Sequence, residues 1–594
     1  MYTILYTCQS WKEGVVVPNP RIRITWFVLV SMLWILVFCS YIVFYSTGYA
    51  IFYWLGAVLS FGSFALTIMK TKRESCWLFS VLLFIVTQRT LLVLRLPSWG
   101  FSAFQLDASF NMQLSNLIKE NANWAINMGT HYAAAYSYHP ALHIWTAVFS
   151  DVSGLDPFSV ARLFIFLSPM ITLLFYYLCI RVVLTKKIAA LSAFIYSLNE
   201  TFVMFDHYVM ESFALIFYSM CLYIFFRSYF RNIRSKWMVV IWILATFTTI
   251  YSHHWTSYNL LITLVILSVL PALYANFTKN SWNFRSKNRF PTQLVILGFL
   301  VIFAWILLVS YPMFEMHKTW FLEFFTNVSA GGKLHRASLQ GRGVYEVAMI
   351  YSGQLFLIIL GILQLRNMMF SREKKSKSTK SILLAWFIFC LIYMVGTTFF
   401  SPGAKAWSIL SRRNWEFTFF GLSPLPAMFI HNNLRTIGSY RGFSYYLRRF
   451  TVLLLIFPLV STFLLHAPYI RNPSFPIPSY SYYSSVLWVK GYMPNELIAV
   501  DSIYGPTMYA YGEKEQIGSR WIWGSIWPEK SQGIELIYQT EDVSLFQNIL
   551  FNKDLQKWYP DIVPNSSLYD QNLNKIFDSS SASIFRQMET STEA

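Results

Sequence analysis

Apolar runs too long to be strands recur along this chain, at 24–45, 49–69, 76–94, 160–180, 188–205, 209–226, 237–252, 255–273, 292–313, 345–365, 382–400, 415–430 and 451–465. A backbone crossing hydrocarbon has no water to bond, so it must satisfy its own amides as a helix or join a closed barrel. Most of these runs have about the 17 to 25 residues a helix needs to span about 30 Å of hydrocarbon, and barrel strands need only about 10. With 55% hydrophobic and 13% charged side chains over 594 residues, lipid must solvate much of the surface. The expected fold is therefore an all-α polytopic membrane protein with about thirteen transmembrane helices.

The charges orient it. Residues 468–594 hold 9 Lys and Arg against 14 Asp and Glu, so the net +19 of the whole chain comes from the part before them. The excess lies in alternate loops, at Lys70 to Arg73, Lys186 and Lys187, Arg227 to Lys236, Lys279 to Arg289, Arg372 to Lys380 and Arg435 to Arg449. Lys and Arg resist translocation, so those loops are predicted to be cytoplasmic. The N-terminus is then inside and the tail outside. This distribution is that of an orientation signal and of contact with anionic membrane lipids, and it points away from a nucleic-acid partner.

Three divisions are expected: a two-helix extension over 1–75, a transmembrane module over 76–466, and an extracytoplasmic domain over 467–594. The last opens with the Pro- and Tyr-rich linker RNPSFPIPSYSYYSS and alternates short apolar stretches with turns, the pattern of a small α/β domain. The six cysteines are scattered without a CxxC spacing, so neither a disulfide framework nor a zinc site is indicated. A divalent metal is possible but not required by the sequence.

Candidate chemistry lies in the outside segments. The first, 97–157, carries Asp107 ahead of Met112, Leu114, Leu117 and Ile118 at helical spacing. Such a helix would lie on the membrane surface and hold a carboxylate at the lipid boundary, where it could act as a general base; the alternative is a helix N-cap. Glu200, Asp206 and Glu211 flank the next outside turn, in NETFVMFDHYVMES. Ionisable groups at membrane depth usually serve a polar cavity, although an interfacial side chain reaching water is the other reading. His253 and His254 sit at another outside turn and could orient phosphate or substrate oxygens, or simply mark the interface. Arg412 and Arg413 precede the helix beginning NWEFTFF; a guanidinium there suits a lipid phosphate, or anchors the chain to anionic headgroups.

Together the acidic first outside loop, the block from Tyr136 to Arg181 with His139 and His143, the NETFVMFDHYVMES turn and SRRNWEFTFFGLSPLPA resemble the GT-C superfamily of membrane glycosyltransferases. That group includes protein O-mannosyltransferases, lipid A aminoarabinose transferases and oligosaccharyltransferase catalytic subunits. The resemblance covers roughly residues 77–465. It implies an inverting, hexosyltransferase-type enzyme that moves a sugar from a polyprenyl-phosphate donor to an extracytoplasmic glycan, lipid or protein. By the same resemblance Asp107 is the catalytic base, Glu211 or Glu200 the second outside acid, and Arg412 or Arg413 the grip on the donor phosphate. His139, His143, His253 and His254 orient substrate or acceptor. The tail has no WWDYG, its nearest tryptophan cluster being WIWGSIWPEK, and Asp107 is followed by Ala108 where several branches carry an acidic pair. Neither sequon recognition nor a metal requirement therefore carries over. The alternative is a transporter or flippase of a lipid-linked or amphipathic substrate.

Overall fold

The computed structural model describes residues 20–47, 49–70, 74–95, 106–122, 138–198, 208–231, 235–277, 289–315, 344–370, 377–399 and 405–436, with four strands and a few isolated positions beyond. The chain divides into two compact units, Met1–Thr87 and Gln88–Ala594.

In the first unit α1 (Pro20–Thr47) and α2 (Ala50–Lys70) pack as a hairpin, followed by the start of α3 (Glu74–Arg95). Tyr53 of α2 meets Tyr41 and Phe44 of α1, at ring centroid distances of 6.1 and 5.6 Å. Gly56 permits the contact, because a Cβ there would come within 2.5 Å of the Tyr41 ring. Hydroxyls on these apolar helices donate back to the preceding turn, Ser40 to Leu36 O and Ser60 to Gly56 O, both at 2.7 Å. A polar side chain satisfied in this way can be buried in a spanning segment.

The second unit adds α4 (Leu106–Asn121), α5 (Ala141–Ser153), α6 (Pro157–Val183), α7 (Lys186–Ser197), α8 (Met210–Arg231), α9 (Lys236–Ser252), α10 (His254–Phe277), α11 (Arg289–Leu308), α12 (Val344–Phe370), α13 (Lys377–Phe399), α14 (Lys405–Leu422) and α15 (Pro424–Thr436). Their starts follow from the sequence. Asp156 accepts from Ser159 N at 3.0 Å ahead of Pro157, capping α6, and Thr185 caps α7 through Ile188 N. Gly154 closes α5 at φ +71, a conformation that favours glycine.

Among the described helices six are long and apolar enough to cross a membrane: Val28–Thr47, Ala50–Ile68, Pro157–Val183, Met210–Arg231, Phe290–Leu308 and Ser352–Met369. Three shorter apolar helices, Lys236–Ser252, His254–Val269 and Ile382–Val395, accompany them. Of the span expected at 188–205, α7 supplies the part to Ser197 and residues 199–205 lie outside the described residues; at Leu198 the carbonyl accepts from Gln354 of α12 at 3.2 Å, which satisfies one of the carbonyls at the helix end. That expected at 415–430 is two helices parted at Ser423, because Pro424 has no N–H to continue the first. The one at 451–465 lies outside the described residues.

The amphipathic helix expected after Asp107 is α4, but protein rather than lipid covers its apolar side. Met112 and Leu114 are buried with Leu142, Ile165 and Phe213. The segment after Pro140, read from the sequence as loop, forms α5. Far along the chain, the described strands β1 (Ile498–Val500), β2 (Asn548–Asn552), β3 (Leu573–Asp578) and β4 (Ala582–Gln587) make one sheet in the order β1-β2-β4-β3. Its first pair is parallel, and the other two are antiparallel.

The contact of α14 with α13 is the closest helix approach relevant to the site. A Cβ on Gly421 would lie 2.5 Å from Cys390 Sγ and 2.6 Å from Trp386 Cδ1. Gly421→Ala is therefore expected to lower stability by about 1–3 kcal/mol, while Gly62→Ala, with nothing within 4 Å of the added carbon, should leave it unchanged or slightly raised. Thermal midpoints of the two variants in detergent check both.

Candidate functional site

The site is built at the ends of helices that the sequence predicts to face outward. Asp107 is the second residue of α4, so it stands in the first helical turn, where the helix dipole favours a carboxylate. Its neighbour Ala108 is fully buried in a cluster with Val93, Tyr208, Met210 and Phe213. The start of α4 is thereby packed against the start of α8, where Glu211 is buried in the first turn.

A hydrogen-bond network fixes this junction. Asn111 donates through Nδ2 to Tyr208 O at 3.1 Å, which leaves its Oδ1 to accept from His143 Nε2 at 2.8 Å. The Tyr208 hydroxyl bonds Ser115 Oγ at 2.7 Å and donates to Thr146 Oγ1 at 2.6 Å. Lys119 closes the far end, donating to Ser150 Oγ at 2.8 Å and lying 3.5 Å from Asp151. Three segments distant in sequence, α4, α5 and the residues entering α8, are thus tied by groups that would each be costly to bury alone.

His139 leads from there to the histidine turn. Its Nδ1–H donates to Ile250 O at 2.6 Å, which sets its tautomer because a carbonyl can only accept. Its ring lies 5.2 Å from that of His254, which is 4.9 Å from that of His253. His253 stands between α9 and α10, and its Nδ1 accepts from Thr256 N at 3.3 Å, capping α10. Trp255 then donates from Nε1 to Asn414 Oδ1 at 2.8 Å, joining the start of α10 to α14.

Arg412 and Arg413 lie inside α14 rather than ahead of it; the helix begins at Lys405 and runs on through NWEFTFF. The short outside loop expected before them is therefore largely helix. Two residues beyond Asn414, Glu416 is buried, and its charge acts on Arg89 of α3. The charges of Glu416 and Glu211 both reach Tyr196, near the end of α7. The Tyr196 ring packs on Tyr176 and Phe420, at 4.9 and 4.5 Å between centroids, and Tyr218 packs on Phe420 in turn.

Of the residues singled out from the sequence, the structure brings the rings of His139, His253 and His254 together, joins His143 to α4 through Asn111, and buries Glu211 in the first turn of α8. Glu200 and Asp206 lie outside the described residues, as do the side chains of Asp107, Arg412 and Arg413. Among the described residues no three His, Cys, Asp or Glu side chains are grouped as a metal would need. Sequence reasoning missed Arg89, Glu416, Asn111 and Asn414. Arg89 carried its own signal, an ionisable residue in the middle of a predicted span; Glu416 stood in the quoted run, four positions after Arg412.

No protein-family model matches the sequence, and no curated protein is similar to it. Solved structures are. The apo oligosaccharyltransferase of Archaeoglobus fulgidus superimposes with a TM-score of 0.53 at 12% identity, covering 83% of this chain and 71% of that one. The archaeal oligosaccharyltransferase AglB of the same organism, in complex with an inhibitory peptide and a dolichol-phosphate, gives 0.52 at 13% identity, over the same shares. The form tethered to an acceptor peptide containing an NVT sequon gives 0.51 at 11%, covering 84% and 72%. The fold is similar to that of these oligosaccharyltransferases. The six described helices long and apolar enough to cross a membrane make the chain an integral membrane protein.

Burial of His143 draws its pKa down to about 3 from the usual 6.5. Such a group is neutral in the folded chain but takes up a proton on unfolding below about pH 6.5, so stability falls as the pH drops from about 6.5 to 3. His143→Gln, which keeps a donor toward Asn111 without a titratable ring, should flatten that dependence. Thermal midpoints across that range, for wild type and variant, check it.

Proposed function

We propose that this chain is an inverting glycosyltransferase that moves a sugar from a polyprenyl-phosphate donor to an acceptor at the extracytoplasmic face. The observation that carries this reading is a series of separate contacts between α4 and α14: Asn111 with His143, His139 with Ile250 O and the ring of His254, and Trp255 with Asn414. They support a polar site that draws on the helix of the candidate base and the helix of the candidate phosphate ligands. The dolichol-phosphate held by one structural neighbour supports a lipid-linked donor here as well.

In this reaction Asp107 accepts the proton of the attacking acceptor group. The acceptor oxygen or nitrogen bonds to the anomeric carbon as the bond from that carbon to the phosphate oxygen breaks, and configuration inverts. Arg412 or Arg413 carries the negative charge left on the lipid phosphate. Glu211 is the second acid of the site, and the histidines orient the reacting groups. The membrane retains the lipid tail, so positioning supplies most of the acceleration.

Asp107→Asn should lower transfer by about 10²-fold or more, the usual worth of a general base, with membrane insertion intact. Transfer of labelled sugar from polyprenyl phosphate in isolated membranes measures it, and activity within a few-fold of wild type would count against the mechanism. Cells lacking the gene should accumulate one lipid-linked sugar, which names the donor; an unchanged pool with altered transbilayer distribution would favour a flippase.

A further inference from the structure

The geometry points to an anion site between Asn414 and the first turn of α10, built to hold the phosphate of a lipid-linked molecule. This inference rests on the donor proposed above and names a contact for it.

Asn414 is fully buried, and its amide has a fixed sense. Indole Nε1–H can only donate, so the atom that meets Trp255 at 2.8 Å is the amide oxygen. The other fork of the same amide, Nδ2, is a buried N–H2 group with no acceptor among the described residues. A buried donor left in that state costs about 1–3 kcal/mol. Replacement by an apolar side chain would remove the cost, unless a ligand supplies the acceptor.

What that ligand is follows from the surroundings. Trp255 is the second residue of α10, so its indole ties the amide to the first turn of a helix whose N-terminal peptide dipoles sum to partial positive charge. Asn414 directly follows Arg412 and Arg413 on α14, and the ring of His254 faces those of His139 and His253 beside it. A donor amide, a helix N-terminus and neighbouring guanidinium-bearing positions select an acceptor-only anion. The compact anion available at a membrane interface is a phosphate ester.

The purified full chain in nanodiscs of zwitterionic lipid tests this, with a short-chain polyprenyl monophosphate as probe and the matching polyprenol, phosphatidylglycerol and inorganic phosphate as controls. Asn414→Asp keeps the acceptor for Trp255 and replaces only the N–H2 group by oxygen. It should weaken polyprenyl phosphate binding about tenfold or more and leave polyprenol binding unchanged. Asn414→Leu should act in the same direction, and Trp255→Phe, which frees the amide to turn, by about threefold.

Parallel loss of polyprenol and polyprenyl phosphate would make Asn414 structural and overturn the site. Wild-type binding of phosphatidylglycerol or inorganic phosphate as tight as that of polyprenyl phosphate would overturn its assignment to the lipid-linked molecule. Variants that bind as wild type does would sink this inference alone; a wild-type protein that binds no polyprenyl phosphate would sink the proposed donor and this site with it.

Discussion

A charge carried into hydrocarbon is costly unless an opposite charge lies within reach, and the second unit buries both Arg89 and Glu416, the charge of the second acting on the first. Arg89 is among the largest fully buried side chains of the chain. An ionisable side chain at the bilayer centre costs about 2.5–3.5 kcal/mol on insertion scales, so an opposite charge acting on Arg89 offsets part of its burial. Glu416 also acts on Tyr196, as does Glu211. A single buried electrostatic centre therefore draws on α3, α7, α8 and α14. The site described above occupies the ends of several of these helices, so its geometry inherits their rigidity.

The second constraint is that the polar groups at those ends bond each other in chains rather than singly. Asn111 uses both ends of its amide, toward Tyr208 and His143, and Tyr208 uses its carbonyl and its hydroxyl. Removing one member leaves two others unsatisfied, so the cost of a substitution exceeds that of one bond. This explains how a helix as short as α4, with a middling balance of polar and apolar residues, holds a fixed position. It is clamped on its polar side by the network and on its apolar side by the cluster around Leu142 and Phe213.

Much of the helical fold was legible in the sequence because hydrocarbon imposes one rule on every span. Length and apolarity located α1 to α3 and α6 to α13, and Asp156, Thr185 and Ser235 cap three of them. Where the reading failed, the deciding contact was tertiary. The period of Met112, Leu114 and Leu117 shows that α4 has an apolar face, but no sequence period tells whether lipid or protein will cover it. Likewise Gln354 of α12 meets Leu198 O at the end of α7, and neither residue announces the other. The candidate site was legible as residue types, carboxylates, imidazoles and guanidinium groups on one predicted side. Its wiring was not, since Asn111, Tyr208 and Asn414 are ordinary polar residues until the fold brings their partners to them.

The arginine pair shows how a secondary-structure assignment changes a chemical argument. Read as loop, Arg412 and Arg413 are neighbours free to converge on one phosphate. In a continuous α14, consecutive positions are about 100° apart around the axis, and only positions three or four apart share a face. Glu416, whose charge acts on Arg89 and Tyr196, stands one turn after position 412, whereas Asn414 meets Trp255 of α10. Adjacency in sequence therefore does not put positions 412 and 413 on one face of the helix, and a chemical argument that treats them as one unit holds for a loop but not for α14.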